Sequence, residues 1–410
     1  MQHKHSLIIL YAIVTGVIFG IIAGWYWGAA MIRFSWMGTL FLNALKMTIV
    51  PLVFVSIISS VASLGAIRKL GRLGGITLAY YFTTTSIAVI IGLAAVNIIQ
   101  PGAGLHLEDV KIPETIINRP NTGIGDILLS MISPNLIKSA LNMQLLPIIL
   151  FAILFGSALT TLGKEGNIVI EFFNGANRAM LKLVGWIMYL SPIGIFSLVS
   201  TRFAAAGGGD AFSKELIAVG WHVVTVLSGL AVHFAVLFLL LFFIAGRGWK
   251  YFTNMLRSLL TAFGTASSSA TLPITMECVK ANGVSDRVMR FTLPLGSTVN
   301  MDGTALYEAA AAMFIAQAYG IEMGLGAQII IFITATLAAI GAAGIPEAGL
   351  VTMVIVLNAV GLPLEGIGIL LAVDWFLDRF RTAINVWGDA VGAAIVNKYV
   401  TEKVPKSESD

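Results

Sequence analysis

The amino-acid sequence predicts an all-α polytopic membrane protein with eight transmembrane helices, two re-entrant helical hairpins and inverted repeats. Three observations predict this fold class. Of the 410 residues, 57% are hydrophobic and 11% are charged, whereas about a quarter of the residues in a soluble domain are charged. The apolar residues form runs of about 20 residues or more, the length that crosses the ~30 Å hydrocarbon core of a bilayer. Two further runs are interrupted halfway by small residues, as in broken membrane segments.

Six long apolar stretches come first. Each is long enough to span a bilayer, and the second, third and fourth are long enough to tilt or break. The stretches cover residues 7–28, 35–65, 74–100, 124–163, 179–205 and 213–245.

The connectors between these stretches differ in charge. Every second connector is basic, and the others are less basic and include the acidic segment 101–122. Because basic connectors stay in the cytoplasm, the N terminus is predicted to be cytoplasmic. The polar segment 399–410 is predicted to be a disordered cytoplasmic tail. The basic connector residues are Arg68, Lys69, Arg72, Lys164, Arg178, Lys182, Arg247, Lys250 and Arg257.

Two later apolar segments, 253–283 and 328–360, are each broken by small or turn-forming residues. Each half has about 15 residues, or ~22 Å as a helix, which is too short to cross. We therefore predict two re-entrant hairpins. Each is followed by a long helix candidate, 286–319 and 365–398, and such a repeated pair with breaks at corresponding positions indicates a transporter binding site.

Ionisable residues occur inside the apolar segments of the last third of the chain. Each costs at least ~2.5 kcal/mol at the bilayer centre unless it is paired or hydrated. We interpret them as functional groups. They are Asp302, Glu308, Asp374, Asp378, Arg379, Arg381 and Asp389.

The final helix candidate carries a polar stripe on one face. The stripe has three aspartates and one arginine, and this excess of negative charge favours cation binding. Arg381 is suited to a bidentate grip on a carboxylate. The alternative is helix–helix packing, in which Asp378 and Arg381 neutralise each other. The stripe consists of Asp374, Asp378, Arg381, Thr382, Asn385 and Asp389.

Two short motifs add candidate ligands. Residues 300–304, Asn-Met-Asp-Gly-Thr, are predicted to unwind their helix and expose carbonyl oxygens near Asp302. With Asn385 and Asp389, these oxygens suit sodium, although such a motif is commonly only a turn. The serines at 267–269 offer hydroxyl and N–H groups to an anion, or form a small-residue packing tip.

With these residues in view, the chain resembles the glutamate/aspartate transporter family, the dicarboxylate/amino acid:cation symporters. This family includes the excitatory amino acid transporters and the archaeal aspartate transporters. The resemblance covers nearly the whole chain and is sharpest over 261–398. Its motifs are Ser267–Ser269, Asn300–Thr304, Gly341–Pro346 and Asp378–Thr382 with Asn385 and Asp389.

The resemblance implies a homotrimer that works by an elevator mechanism in the plasma membrane, of the bacterial inner-membrane type. Residues 1–72 and 101–212 would form the scaffold helices, and residues 399–410 would form the tail. The transport domain would contain helix 3 (73–100) and residues 213–398.

The resemblance also implies a site for glutamate or aspartate. Arg381 would hold the side-chain carboxylate and Asp378 the amino group, while hairpin tips would hold the main carboxylate. The implied substrate-binding residues are Ser267, Ser268, Ser269, Thr304, Ile345, Gly349, Asp378, Arg381, Thr382 and Asn385.

About three transported sodium ions are implied, with no organic cofactor. The first site would use Asp389 with carbonyls of Gly296, Asn300 and Asn385. The second would use carbonyls of Thr298, Met301, Ala339, Ile340 and Ala342. The third would use Asp302, the Asn300 side chain, Tyr81, Thr84 and Thr85.

Three positions resemble the animal members: Ala266, Glu308 and Arg379. Glu308 would carry a proton, and potassium return becomes a hypothesis. Alternatively, Glu308 only neutralises Arg379.

Other functions remain to be distinguished. A neutral amino acid symporter would leave Arg381 without a carboxylate, and a C4-dicarboxylate carrier would leave Asp378 without an ammonium group. An enzyme such as an intramembrane aspartyl protease is disfavoured, because Arg381 beside the acids suits binding better than shared-proton catalysis. A channel is also disfavoured.

Overall fold

The computed structural model describes residues 2–68, 71–105, 129, 131–142, 144–205, 210–341 and 348–401. Within these ranges the regular structure is helical, without a β-strand. Short 3₁₀-helices occupy Gly28–Phe34 and Leu364–Gly366. The main α-helices are α1 (Gln2–Trp27), α2 (Ser35–Arg68), α3 (Arg72–Ile99), α4 (Leu136–Leu141), α5 (Leu145–Leu159), α6 (Gly163–Met188), α7 (Ser191–Ala205), α8 (Asp210–Phe243), α9 (Trp249–Thr265), α10 (Ser268–Ala281), α11 (Asp286–Val299), α12 (Asp302–Ala318), α13 (Leu325–Gly341), α14 (Ala348–Val360) and α15 (Ile367–Thr401).

Four of the six predicted stretches correspond to helices with nearly the predicted bounds, namely α1, α2, α3 and α8. The stretch 179–205 is different, because α6 already begins at Gly163 and a bend of 54° separates it from α7. Pro192, near the start of α7, lacks a backbone N–H and is tolerated there. The stretch 124–163 is also different, because its described residues form two helices, α4 and α5, while residues 124–128, 130 and 143 lie outside the described residues.

By length and composition, three helical stretches in the described part of the chain could cross a membrane: Thr15–Phe41, Arg72–Ile99 and Glu215–Phe243. A fourth is added if the bent pair Gly163–Ile187 and Ser191–Thr201 counts as one span. Eight spans therefore remain a prediction. The long α15 carries several charged residues, and α2 contains Pro51, so neither resembles a simple apolar span.

The first predicted hairpin folds back on itself. Arg257 on α9 pairs with Glu277 on α10 at 3.1 Å, and Ser258 hydrogen-bonds Thr275 at 2.7 Å. The residue number rises from 257 to 258 on α9 while that of the partner falls from 277 to 275 on α10, so the two helices are antiparallel. Their turn lies at Ala266, whose φ of 49° is in the left-handed region. In the second predicted hairpin, α13 packs against α14, and the connecting residues 342–347 lie outside the described residues.

The predicted helix 286–319 is interrupted where its polar motif stands. Helix α11 ends at Val299 and α12 begins at Asp302, with Asn300 and Met301 in non-helical conformations between them. This local unwinding is confirmed. The predicted tail begins later than expected, because α15 continues through Tyr399 to Thr401, and residues 402–410 lie outside the described residues.

Packing divides the helices into two groups. Helix α1 packs on α7, and α2 packs on α5, α6 and α7. In the second group, α12 contacts α3, α8, α13, α14 and α15. Helix α12 is the centre of this group, since its residues from Asp302 to Ala316 are all buried. The polar residues at its start therefore lie inside the protein and not at its surface.

Candidate functional site

The polar stripe of α15 faces the protein interior. All six of its members are buried, and Arg381 has no exposed side-chain surface. The backbone of α12 passes close to this face: a Cβ added at Gly303 would lie 2.5 Å from the Arg381 carbonyl oxygen. Glycine at this position therefore lets α12 approach α15, which brings the unwound motif beside the stripe.

Arg381 is held by two carboxylates and one aromatic ring. Its Nη2 atom lies 2.9 Å from Asp374 Oδ1 and 3.0 Å from Asp378 Oδ1. Its guanidinium carbon lies 3.9 Å from the centre of the Tyr307 ring, within the range of a cation–π contact. The Nε and Nη1 donors have no hydrogen-bond partner in the described part of the chain. A buried guanidinium with unused donors can bind an anion.

The second hairpin approaches the same guanidinium. A Cβ added at Gly349 would lie 2.8 Å from Arg381 Nη1, so the start of α14 lies against the unused donor. The family resemblance implies that Gly349 and Arg381 belong to one site, and the structure brings them together. Ile345 and Ala342, the other predicted ligands from this hairpin tip, lie outside the described residues.

Asn385 connects the stripe to the start of α12. Its Oδ1 accepts a hydrogen bond from the Gly303 N–H at 2.8 Å, and its Nδ2 donates to Thr304 Oγ1 at 3.2 Å. One turn earlier, the Thr382 hydroxyl donates to the Asp378 carbonyl oxygen at 2.8 Å. Three predicted substrate-binding residues of α15, Asp378, Thr382 and Asn385, thus lie within two helix turns of Arg381, and Asn385 contacts a fourth, Thr304, on α12.

The serines of the first hairpin lie at the N-terminus of α10. Ser267 caps this helix by accepting from the Ala270 N–H at 3.2 Å. Ser267 and Ser268 are buried, whereas Ser269 is exposed. Arg379 approaches the same tip and donates to the carbonyl oxygens of Phe263 and Gly264.

A cluster of oxygen atoms surrounds Asp302, which has no exposed surface. The hydroxyls of Thr85 and Thr84 lie 2.8 and 3.3 Å from its Oδ1 atom. Thr84 also lies 3.3 Å from Asn300 Oδ1. This is the predicted third sodium cluster. His233 on α8 was not predicted, and its Nε2 lies 3.0 Å from Asp302 Oδ2.

The second buried acid, Asp389, lies on the other side of Asn300. Asn300 Nδ2 donates to Asp389 Oδ1 at 3.1 Å. Gly296 stands so close that a Cβ there would collide with Asp389 Oδ1 and lie 2.7 Å from the Tyr81 hydroxyl. Tyr81 itself donates to the Thr292 carbonyl oxygen at 2.7 Å. Two of the residues predicted for the first sodium site, Gly296 and Asn300, therefore lie beside the Asp389 carboxylate.

The predicted second sodium site is only partly described. Met301, Ala339 and Ile340 are buried, and the Ile340 carbonyl oxygen accepts a hydrogen bond from Ser60 on α2 at 3.3 Å. Thr298 has an exposed side chain that donates to the Leu295 carbonyl oxygen.

The chemistry of these clusters favours a hard alkali cation. Their donors are carboxylate, amide, hydroxyl and carbonyl oxygens. In the described residues, no group of three or more His, Cys, Asp or Glu side chains could hold a metal. A transition metal would favour nitrogen or sulfur ligands.

Glu308 lies on α12 with no exposed surface, and Thr352 and Arg381 lie close enough to interact with it. It forms no ion pair with Arg379, which donates to the first hairpin tip instead. The alternative in which these two side chains neutralise each other therefore has no direct contact to support it. Two contacts of the site were not predicted from the sequence: that of Asp374 with Arg381 and that of His233 with Asp302. The place of Asp374 in the polar stripe and the occurrence of His233 inside a long apolar run were signals that could have indicated them.

A sequence model of the sodium:dicarboxylate symporter family matches residues 9–399. The chain belongs to this family. Family membership implies sodium coupling, and the family is one of membrane transporters and not of enzymes.

Individual relatives of this symporter family are similar over most of their length. Excitatory amino acid transporter 3 of Mus musculus is 37% identical, over 97% of this chain and 86% of the relative. An excitatory amino acid transporter of Caenorhabditis elegans is 39% identical, over 89% and 81%. The neutral amino acid transporter B(0) of Rattus norvegicus is 35% identical, over 98% and 82%.

Proposed function

We propose that this symporter carries acidic amino acids, glutamate or aspartate, together with sodium. The observation that carries the proposal is that the guanidinium of Arg381 is fully buried, has two donors without a hydrogen-bond partner among the described residues, and lies beside the carboxylate of Asp378. A buried cation with free donors matches an anionic substrate. Asp378 supplies the opposite charge for an ammonium group at the neighbouring position.

The substrate would then lie among α10, α12, α14 and α15. Arg381 would bind its side-chain carboxylate with help from Thr304, and Asp378 its amino group with help from Thr382 and Asn385. The first hairpin tip at Ser267–Ser269 and the second hairpin near Gly349 would receive the main carboxylate. Support comes from the proximity of Gly349 to Arg381 and from the Asn385–Thr304 hydrogen bond.

Sodium would bind at the clusters around Asp302 and Asp389, and a further ion between α11 and the second hairpin. The first two clusters are linked through Asn300, which contacts Thr84 in the Asp302 cluster and the carboxylate of Asp389. About three ions would thus bind near the substrate. Proton carriage by Glu308 and potassium return are part of the same proposal, supported by the burial of Glu308 near Arg381.

Two other substrates have specific support. A relative named as a neutral amino acid transporter is 35% identical, and the family is named for dicarboxylates. A neutral substrate would leave the Arg381 donors buried without an anion, and succinate would offer no ammonium to Asp378. A buried hydrogen-bonding group left without its partner is costly, so an acidic amino acid fits both groups best.

The proposed architecture is a multi-pass plasma-membrane homotrimer of eight spans and two hairpins, with both termini in the cytoplasm. Residues 1–72 and 101–212 would be the scaffold, and 73–100 with 213–398 the transport domain, moving as an elevator. The division of packing partners between α1, α2, α5–α7 and the helices around α12 supports this division.

Uptake into proteoliposomes tests the proposal. Purified protein should concentrate labelled aspartate or glutamate under an inward sodium gradient, and not under an equal potassium gradient. Unlabelled succinate and alanine serve as competitors, and neither should compete as well as aspartate. If alanine or succinate is concentrated and aspartate is not, the proposed substrate class is wrong.

A further inference from the structure

His222 is a buried titratable residue to which the transport scheme above gives no role. It lies on α8 with no exposed surface, and neither ring nitrogen has a hydrogen-bond partner in the described part of the chain. An apolar ring at this position would avoid the free-energy cost of burying two unpaired polar atoms. A histidine here therefore calls for an explanation.

The neighbours of His222 connect it to the proposed substrate site. Its ring centre lies 4.6 Å from that of Phe314 and 6.1 Å from that of Tyr307, both on α12. Tyr307 is the ring over which the Arg381 guanidinium lies at 3.9 Å. The contact chain from α8 to Arg381 thus has a single intermediate, the Tyr307 side chain.

The Tyr307 hydroxyl is also buried without a hydrogen-bond partner among the described residues. Two adjacent rings therefore carry unpaired polar atoms in an apolar interior. The imidazole of His222 is thus a candidate partner for this hydroxyl. Asp374, the nearest carboxylate to this hydroxyl, is the competing partner.

We propose that His222 is a positioning residue that hydrogen-bonds the Tyr307 hydroxyl and so holds the Tyr307 ring beneath Arg381. The bond restrains the position of the Tyr307 side chain. The guanidinium then keeps the orientation in which its free donors meet the substrate carboxylate. This inference rests on the proposed substrate role of Arg381.

A double-mutant cycle in the full-length transporter tests the pairing. His222→Phe and Tyr307→Phe each keep a ring and remove one partner. Each should raise the KM for aspartate about fivefold, the worth of a typical net hydrogen bond, while Vmax per transporter stays unchanged. The double variant should be no worse than either single variant, because the second change removes a bond already lost.

A conservative variant separates positioning from simple packing. His222→Gln keeps polar atoms near the imidazole nitrogens and should restore a near-native KM, whereas His222→Leu should behave like His222→Phe. If His222→Phe does not insert into the membrane, the cycle is repeated with His222→Leu. A merely structural residue would change the amount of inserted protein and Vmax, not KM.

Several outcomes overturn the proposal. Multiplying effects in the double variant would show that the two side chains act independently. If KM is native in His222→Phe but raised in Tyr307→Phe, the Tyr307 hydroxyl acts through Asp374 and not through His222. The proposed function fails separately, if native protein takes up no acidic amino acid; in that case the cycle is measured with the substrate that is transported, and its coupling still decides the pairing.

Discussion

At the scale of single residues, the site is defined by how buried charges are paired. Arg381 is shared between Asp374 and Asp378, and Asp302 is surrounded by threonine hydroxyls and His233. A lone charge in the membrane interior costs several kcal/mol. The pairing explains how these groups are tolerated, and their unused donors and acceptors explain how they can bind ligands.

Replacing Arg381 tests the carboxylate grip. Arg381→Lys keeps a positive charge but loses the planar, bidentate donor geometry. We expect aspartate affinity to fall about a hundredfold, as for a broken buried charge pair, measured as the KM for uptake. Arg287→Lys on the exposed face of α11 is the matched control and should transport normally. Native aspartate uptake by Arg381→Lys would contradict the assignment.

Replacing Asp302 tests the sodium cluster. Asp302→Asn removes one negative charge but keeps the side-chain shape, so the sodium concentration for half-maximal uptake should rise about tenfold, equivalent to ~1.4 kcal/mol. The measurement is aspartate uptake at graded sodium concentration. Asp286→Asn, an exposed partner of Lys280, should leave the curve unchanged because exposed ion pairs contribute little. An unshifted curve in Asp302→Asn would exclude this carboxylate from sodium binding.

At the scale of elements, the close approach of α12 to α15 depends on Gly303. Gly303→Ala would force a Cβ to 2.5 Å from the Arg381 carbonyl oxygen, and backbone cannot move aside as a side chain can. We expect uptake to fall below about a tenth of native, since a misplacement near 1 Å can cost about a hundredfold. Gly220→Ala on α8, where a Cβ meets no atom within 4 Å, should retain uptake. Equal uptake by the two variants would refute the close-approach argument.

Much of the element arrangement could be predicted from the sequence, for identifiable reasons. Apolar runs marked α1, α2, α3 and α8, and Asn300-Met301-Asp302 marked the break between α11 and α12. The start of α6 at Gly163 was missed, because its first turns carry Lys164 and Glu165 and lack an apolar run. Hydropathy alone does not detect such an amphipathic helix start.

Within the site, predictions succeeded where polar residues recur on one helix face and failed where a partner comes from another helix. The α15 stripe was found because 100° per residue places its members together. His233 and His222 were missed as partners, because their contacts with Asp302 and Tyr307 link positions about 70 to 85 residues apart in sequence, and only the packing of α8 on α12 brings them together.

At the scale of the whole molecule, the two helix groups meet where α2 contacts α13, and Ser60 donates to the Ile340 carbonyl oxygen at 3.3 Å. If the two helix groups slide past each other during transport, a disulfide at this contact will stop transport. Ser60→Cys with Ile340→Cys, in a Cys278→Ala background, should lose uptake on oxidation and recover it on reduction. Cys278 is the single cysteine of the sequence.

The control disulfide lies one residue away but inside one group. Ser59 on α2 hydrogen-bonds Asn174 on α6, and both helices belong to the proposed scaffold. Ser59→Cys with Asn174→Cys should cross-link without loss of uptake. If both disulfides stop uptake, the cause is general strain. If neither disulfide stops uptake, although a gel shows that both cross-links have formed, the two helix groups do not slide at this contact.

The hydrogen bonds of Asn300 and Asn385 have a thermodynamic consequence. Asn300 contacts the surroundings of both buried acids, and Asn385 joins the backbone of Gly303 to the hydroxyl of Thr304. In the proposed scheme the substrate and the ions would share these amides, so occupancy of one site would change the free energy of filling the other. Reciprocity then requires that sodium tighten aspartate binding by the same factor by which aspartate tightens sodium binding, an equality that calorimetry on the detergent-solubilised protein can measure from either direction.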